Sequence, residues 1–293
     1  MGVYLSRQNG SQETSPFMPQ HAEITDWLQE TDEARLAQLW QMAEDVARKS
    51  GGGEGPARDV IDISNICIRT CAYCEQWMGN DALLRHRMTA DEIVAAARQS
   101  ADAGRGEVVL QAGEDPTIED AWMADVIRRI KRETPLKLTL SLGERPEQEL
   151  VQWREAGADR YLLRFETSNR ELYDAIHPPA FHKTESDRIA ILHSLKTLGY
   201  ETGSGVMVGI PGQSYDDLAA DIELFGRLDL DLIDVGPFVL HPGTRLAQEG
   251  PPIEIAEEDQ VPADEETTRK VTSLARLVCP TADVRDTIDL CVS

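Results

Sequence analysis

Cys67, Cys71 and Cys74 fall in the stretch ISNICIRTCAYCEQW, a C-x3-C-x2-C spacing that gathers three of the chain's five cysteines. Thiolates so spaced can hold three irons of a cubane [4Fe–4S] cluster. The fourth iron is then open to a nonprotein ligand, whereas electron-transfer ferredoxins use four cysteines. Zinc is the rival occupant, but it wants a fourth ligand, commonly from a second paired motif. His86 follows Cys74 closely enough to serve, while Cys279 and Cys291 lie far down the chain. Three unliganded core cysteines are the bland alternative. A loop that also carries Asn65, Arg69 and Thr70 is a poor match for a core.

A strand–helix rhythm must position that loop. Two segments with helical apolar spacing come first, ITDWLQE and TDEARLAQLWQMAEDVARKS, the second with Thr31 or Asp32 as its cap. GGGEGP at 51–56 then breaks the chain. Beyond it, DVIDIS, EVVLQAGEDP, LKLTLSLGERP, ADRYLLRFETS, ETGSGVMVGIPGQ and DLIDVGPFVLHPGT read as strands running into loops, each followed by a helical stretch. Parallel pairing follows, because a parallel crossover needs room for a helix. Six such units without a dinucleotide fingerprint favour an α/β fold of the (β/α) TIM-barrel type over a doubly wound sheet. The expected divisions are a flexible lead at 1–20, a helical segment at 21–55 and the barrel domain at 56–293. LVCPTADVRDTIDLCVS leaves room for one more short strand, so the barrel is expected to be incomplete at its C-terminal end.

In such a barrel the working side chains sit at strand C-terminal ends. Conspicuous polar and glycine-rich residues fall there besides the cysteines: Gly113-Glu114-Asp115, Gly143-Glu144-Arg145, Arg164-Phe165-Glu166, Gly209-Ile210-Pro211-Gly212 and His241-Pro242-Gly243. His241 could face a substrate, and Met207 reads as barrel core. His21, His177, His182 and His193 carry no readable signal. The chain has 29 Lys and Arg against 52 Asp and Glu, a net charge of −23 that excludes nucleic acid and anionic lipid as partners. No apolar run is long enough to span a membrane. An odd cysteine count without a secretory signal places the chain in a reducing cytoplasm.

The cysteine motif with Tyr73 before its last member, after the first strand of a β/α series, resembles the radical S-adenosylmethionine (SAM) superfamily. Within it the blocks LQAGED, TLSLGERP, EAGADRYLLRFET, LGYETGSGVMVGIPGQ and GPFVLHPGT resemble the [FeFe]-hydrogenase maturase HydE group, with biotin synthase and methylornithine synthase next in style. The resemblance implies a [4Fe–4S] cluster on Cys67, Cys71 and Cys74 and reductive cleavage of SAM to a 5′-deoxyadenosyl radical. It implies that the Gly113-Glu114 segment receives the SAM amino group and that Glu144 contacts its ribose. Arg164, with Glu166 nearby, would pair with the methionine carboxylate, and Gly209 and Pro211 would pack by the adenine. It further implies a small-molecule or organometallic substrate, a reducing donor such as flavodoxin or ferredoxin, and hydrogenase maturation partners. Departures from that pattern are Ala112 for the first glycine of the acidic loop, Glu75 for a glycine after the third cysteine, and Phe165 for a common histidine.

Overall fold

A computed structural model describes residues 19–52, 55–179 and 186–286. Apart from Pro19 and Gln20, the expected lead at 1–20 lies outside the described residues, as do Cys291 and His182.

Seven strands form one parallel sheet in chain order. They are β1 (Arg58–Ser64), β2 (Glu107–Ala112), β3 (Lys137–Ser141), β4 (Arg160–Leu162), β5 (Glu201–Val208), β6 (Leu232–Pro237) and β7 (Asp283–Asp286). The sheet is a curled, incomplete barrel, with no β7–β1 pairing among the described residues. The crossovers carry α3 (Ala90–Asp102), α4 (Asp120–Glu133), α5 (Glu147–Ala156), α6 (Arg170–Ile176), α7 (Arg188–Thr197), α8 (Tyr215–Leu228), α9 (Arg245–Glu249) and α10 (Glu265–Val278). Their starts are set locally. Thr89 and Glu92 close a capping box on α3, and Ser214 and Asp217 do the same for α8.

The core lies between the sheet's outer face and these helices, where Val108, Leu110, Leu138, Leu140, Ile127 and Trp153 are buried. The N-terminal helices α1 (His21–Gln29) and α2 (Glu33–Ser50) add to this layer, packing on α8 and α10. Asp32, one of the two expected caps, accepts from Arg35 N at 2.9 Å. No described helix is long and apolar enough to cross a membrane.

The inner face is polar at its base. Glu107 is fully buried there, accepting from Thr139 Oγ1 at 2.5 Å and from Arg160 Nη1 at 3.1 Å. Arg58 of β1 reaches Asp234 of β6 at 2.9 Å, which ties the two sides of the open barrel together. Arg285 and Asp283 of β7 join this plug at 2.8 Å. Side chains alternate across a strand, so Gln111 shares the inner face with Glu107. It is exposed there, beside half-buried Asp62 and Ser141 in register, and the lumen above the plug is therefore open to solvent.

The free edge of β1 has its own cover. Residues 86–88 of the cysteine loop return antiparallel to it, through a Ser64–Arg87 bridge and a Met88 N to Ile63 O bond of 2.8 Å.

Candidate functional site

At the C-terminal ends of β1 to β4 the loops converge on a buried charged array. Arg69, from the cysteine loop, donates through Nε to Glu114 Oε2 at 2.5 Å and lies 2.8 Å from Glu144 Oε2 through Nη2. Arg188, the first residue of α7, reaches Glu144 Oε1 at 3.2 Å through Nε and the Arg164 carbonyl at 2.6 Å. Ser186 Oγ also donates to Glu144 Oε1 and stands 2.5 Å from Tyr173 Oη. His177, just past α6, places Nε2 at 3.4 Å from Glu144 Oε1 and Nδ1 at 3.0 Å from Cys71 Sγ.

Backbone requirements hold the array in place. Gly143 adopts φ +74°, and a Cβ there would come within 2.1 Å of Glu114 Cγ. Glycine lets the two acidic loops close on each other, and Glu144 N then donates to Glu114 Oε1 at 3.1 Å. Asp115, fully buried, pins the same loop by accepting from Ser64 Oγ, Arg87 and Thr117.

Electrostatics sets the protonation states. Burial pushes the Glu144 carboxyl up, but His177, Arg188, Ser186 and Arg69 outweigh it and hold the group at about 2. Burial and the Arg188 charge bring His177 down to about 4, so the imidazole is neutral at pH 7. The thiols move the other way: burial raises Cys67 and Cys71, and it pushes Cys74 up to about 11.

These observations correct the expected ligand set. Glu114, Glu144 and His177 each offer a ligand atom, and those atoms lie within 4.8 Å of one another. Among the described residues that is the converging trio, and the three cysteines expected to carry a [4Fe–4S] cluster do not form one. Cys71 Sγ instead lies 3.0 Å from His177 Nδ1. No chemical step is routed through the cysteines. A cation at the trio would have to displace Arg69 and Arg188, which already neutralise the two carboxylates.

The other expected site residues are dispersed around the mouth. Arg164 follows β4, donates to the Val206 carbonyl at 2.8 Å and pairs with Glu166 at 3.2 Å. Glu166 is one of two described non-glycine residues with positive φ, at +63°, a conformation that costs energy and clusters at functional sites. Gly113 N donates to Ser64 O at 2.9 Å, which seats its loop beside the cysteines. Gly209 and Pro211 lie in the β5–α8 turn. A Cβ on Gly209, at φ +81°, would meet the Ala263 backbone at 2.5 Å, so packing alone demands that glycine. His241 is more than half exposed and pairs with Glu75 at 3.3 Å on the rim. Sequence reasoning missed His177, Arg188 and Ser186, which flank helices and reach the array only through tertiary packing. Arg69 stood out only as a polar residue in the cysteine loop.

Comparison with known proteins agrees with this architecture. Residues 61–225 match the radical SAM superfamily. The chain is 39% identical over 246 residues to the [FeFe] hydrogenase maturase subunit HydE of Thermotoga maritima, a match covering 84% of this chain and 66% of that one. It is 30% identical over 208 residues to a biotin synthase of Picosynechococcus sp., covering 66% of this chain and 55% of that one. The chain thus spans about two thirds or less of these relatives' length. The fold superposes on the crystal structure of methylornithine synthase with a TM-score of 0.78 at 23% identity, covering 91% of this chain and 75% of that one. A barrel with its charged array at the strand ends and a superfamily match over most of its strands lead to one conclusion: this chain belongs to the radical SAM superfamily.

Proposed function

We propose that the chain uses radical SAM chemistry to transform a small molecule held in the barrel lumen, as its biotin synthase and methylornithine synthase relatives suggest. The observation that carries this reading is the buried, charge-balanced array of Arg69, Glu114, Glu144 and Arg188 above a solvent-open polar lumen. Ionised Glu144 can accept two ribose hydroxyls. Arg164, oriented by Glu166 and the Val206 carbonyl, presents a guanidinium for the amino-acid carboxylate. Gly113 and Glu114 offer acceptors for the amino group, while Gly209 and Pro211 line the adenine side. Gln111, Asp62 and Ser141 face the lumen where the substrate would sit. Anaerobic incubation with SAM and dithionite should yield 5′-deoxyadenosine and methionine. No 5′-deoxyadenosine above a protein-free control sinks the proposal. Deuterium transfer into 5′-deoxyadenosine from deuterated small molecules added to the same mixtures, read by mass spectrometry, tests the substrate class.

A second reading is maturation of [FeFe] hydrogenase, favoured by the 39% identity to HydE. Restoration of hydrogenase activity in a host lacking its own maturase supports it. Failure there, with a defined small-molecule product, rules it out.

A further inference from the structure

We infer that Asp221, in the outer helix layer, is a positioning residue: its carboxyl group holds the strained turn that presents Arg164 and Glu166. The chain leaves β4 through a three-residue turn. Thr167 N donates to the Phe165 carbonyl at 2.8 Å across Glu166, whose φ is +63°. A turn of this size with positive φ at its centre is the rare, strained kind, and such a backbone persists only where its surroundings over-determine it. Two anchors do so. On the entry side Glu166 N donates to the Gly205 carbonyl of β5 at 3.1 Å. On the exit side Asp221 Oδ1 accepts from Ser168 N at 2.5 Å and from Ser168 Oγ at 2.6 Å. Phe225, one turn further along α8, sets its ring centroid 5.7 Å from that of Phe165. One helix therefore grips the turn at both ends.

Asp221 is fully buried, and its second oxygen, Oδ2, has no hydrogen-bond partner. A carboxyl group buried with one oxygen bare is costly. An apolar residue would pack α8 without that cost, so the two donors from Ser168 account for the position. What the turn requires is the acceptor at Oδ1. With Ser168 released, Glu166 is free to relax to negative φ, and Arg164 loses the carboxylate that stands 3.2 Å from its Nη2. The link runs from α8 through Ser168 and Glu166 to Arg164, with no contact between Asp221 and a ligand.

The inference rests on the proposed pairing of Arg164 with an amino-acid carboxylate, and the test separates the two. S-Adenosylhomocysteine carries that carboxylate, whereas 5′-methylthioadenosine lacks it. Both are titrated calorimetrically into the wild-type chain, Asp221→Ala, Asp221→Asn, Arg164→Ala and the Asp221→Ala/Arg164→Ala double variant. Asp221→Ala should bind S-adenosylhomocysteine roughly tenfold more weakly, the usual size of coupling within one hydrogen-bonded network. Its binding of 5′-methylthioadenosine should be unchanged. Asp221→Asn keeps the Oδ1 acceptor and should bind both as wild type does. The double variant should be no weaker than Arg164→Ala alone, because the two residues act in series. A purely structural Asp221 would weaken both ligands alike, and an idle one neither; either pattern overturns the inference, as does a loss in Asp221→Asn equal to that in Asp221→Ala. If Asp221→Ala does not fold, Ser168→Ala removes one of the two donors and should show the same selective loss, roughly threefold in size; wild-type affinity there overturns the inference. If Arg164→Ala binds S-adenosylhomocysteine as wild type does, the assignment of Arg164 falls and takes the inference with it.

Discussion

The two ends of this barrel are built from the same chemistry and behave as opposites. At the base, Arg58, Arg160 and Arg285 meet Glu107, Asp234 and Asp283, all carried by the strands themselves. At the mouth, Arg69 and Arg188 meet Glu114 and Glu144, carried by loops and a helix start. The base has only charged pairs and a threonine hydroxyl. The mouth adds a neutral imidazole, thiols and a serine, groups that can change partners. Strand-borne pairs have no freedom to rearrange, so the base closes the barrel. Loop-borne pairs can exchange one partner for a ligand.

The largest expected effect comes from breaking the base. Arg160→Ala takes the guanidinium from fully buried Glu107 and leaves an empty space in its place. Removing one partner of such a pair costs about 3–5 kcal/mol. Urea denaturation should show that loss, with little change in ligand affinity per folded molecule. A midpoint near wild type would mean that the base is wetter than its burial implies.

Glu144→Gln should do the reverse. It keeps the shape at the mouth and removes the charge that Arg69, Arg188 and Ser186 converge on. The rate of 5′-deoxyadenosine formation should fall by at least about tenfold, the value of one charge-assisted hydrogen bond. Its stability loss should be smaller than that of Arg160→Ala. Equal losses of stability in the two variants would erase the distinction between the ends.

A third buried carboxylate sharpens the contrast, because it faces hydroxyl and amide instead of guanidinium. Asp221 of α8 accepts from Ser168 N at 2.5 Å and Ser168 Oγ at 2.6 Å, and burial pushes it up to about 7. A raised carboxyl stabilises the fold in its protonated form. That contribution is complete below about pH 4, the ordinary aspartate range, and is lost as pH rises through about 7. Asp221→Asn should therefore gain on wild type in unfolding free energy between pH 4 and 8. Parallel pH profiles for the two proteins would contradict this account.

The smallest effect is expected at the outer layer. His21 of α1 sets Nε2 at 2.7 Å from Asp216 and Nδ1 at 3.3 Å from Glu223, both on α8, and the Asp216 bond leads the causes that raise it above its ordinary value. The charged ring can donate to both, so this contact is present at low pH and is lost as pH rises through that raised value. His21→Gln should cost a few tenths to about 1 kcal/mol at pH 5, as exposed pairs do. At pH 8 the cost should vanish. An undiminished cost there would point to packing instead of charge.

Periodicity and caps made most of the outer scaffold readable. Thr89, Asp32 and Ser214 announce their helices locally, and the short strand expected near the C-terminal end is β7. The five-residue α9 is too short to leave a periodic trace. The base plug was illegible for a different reason. Arg58, Glu107 and Arg160 each open a strand, where a charged residue ordinarily meets solvent, and only the curl of the sheet turns them inward. The mouth was half legible. Glu114 and Glu144 follow strands inside recognisable loops. No local pattern encodes the approach of His177 and Arg188 to Glu144. The cysteine spacing was the most conspicuous feature of all, yet spacing along a loop says nothing about how deeply its thiols are buried or which ring contacts them.

The antiparallel return of residues 86–88 makes the cysteine segment a hoop, leaving and rejoining the same strand. Asn65 at the departure point accepts from His86 N at 2.7 Å and donates to the Leu84 carbonyl at 2.9 Å, so the hoop is clasped where it closes. A clasped hoop tolerates changes in circumference, since doubling a flexible loop adds only about 0.6 kcal/mol of closure entropy. The outer arc at Asp81 and Ala82, both exposed, is therefore where this scaffold can accept added residues, a tag or a fluorophore without disturbing the clasp.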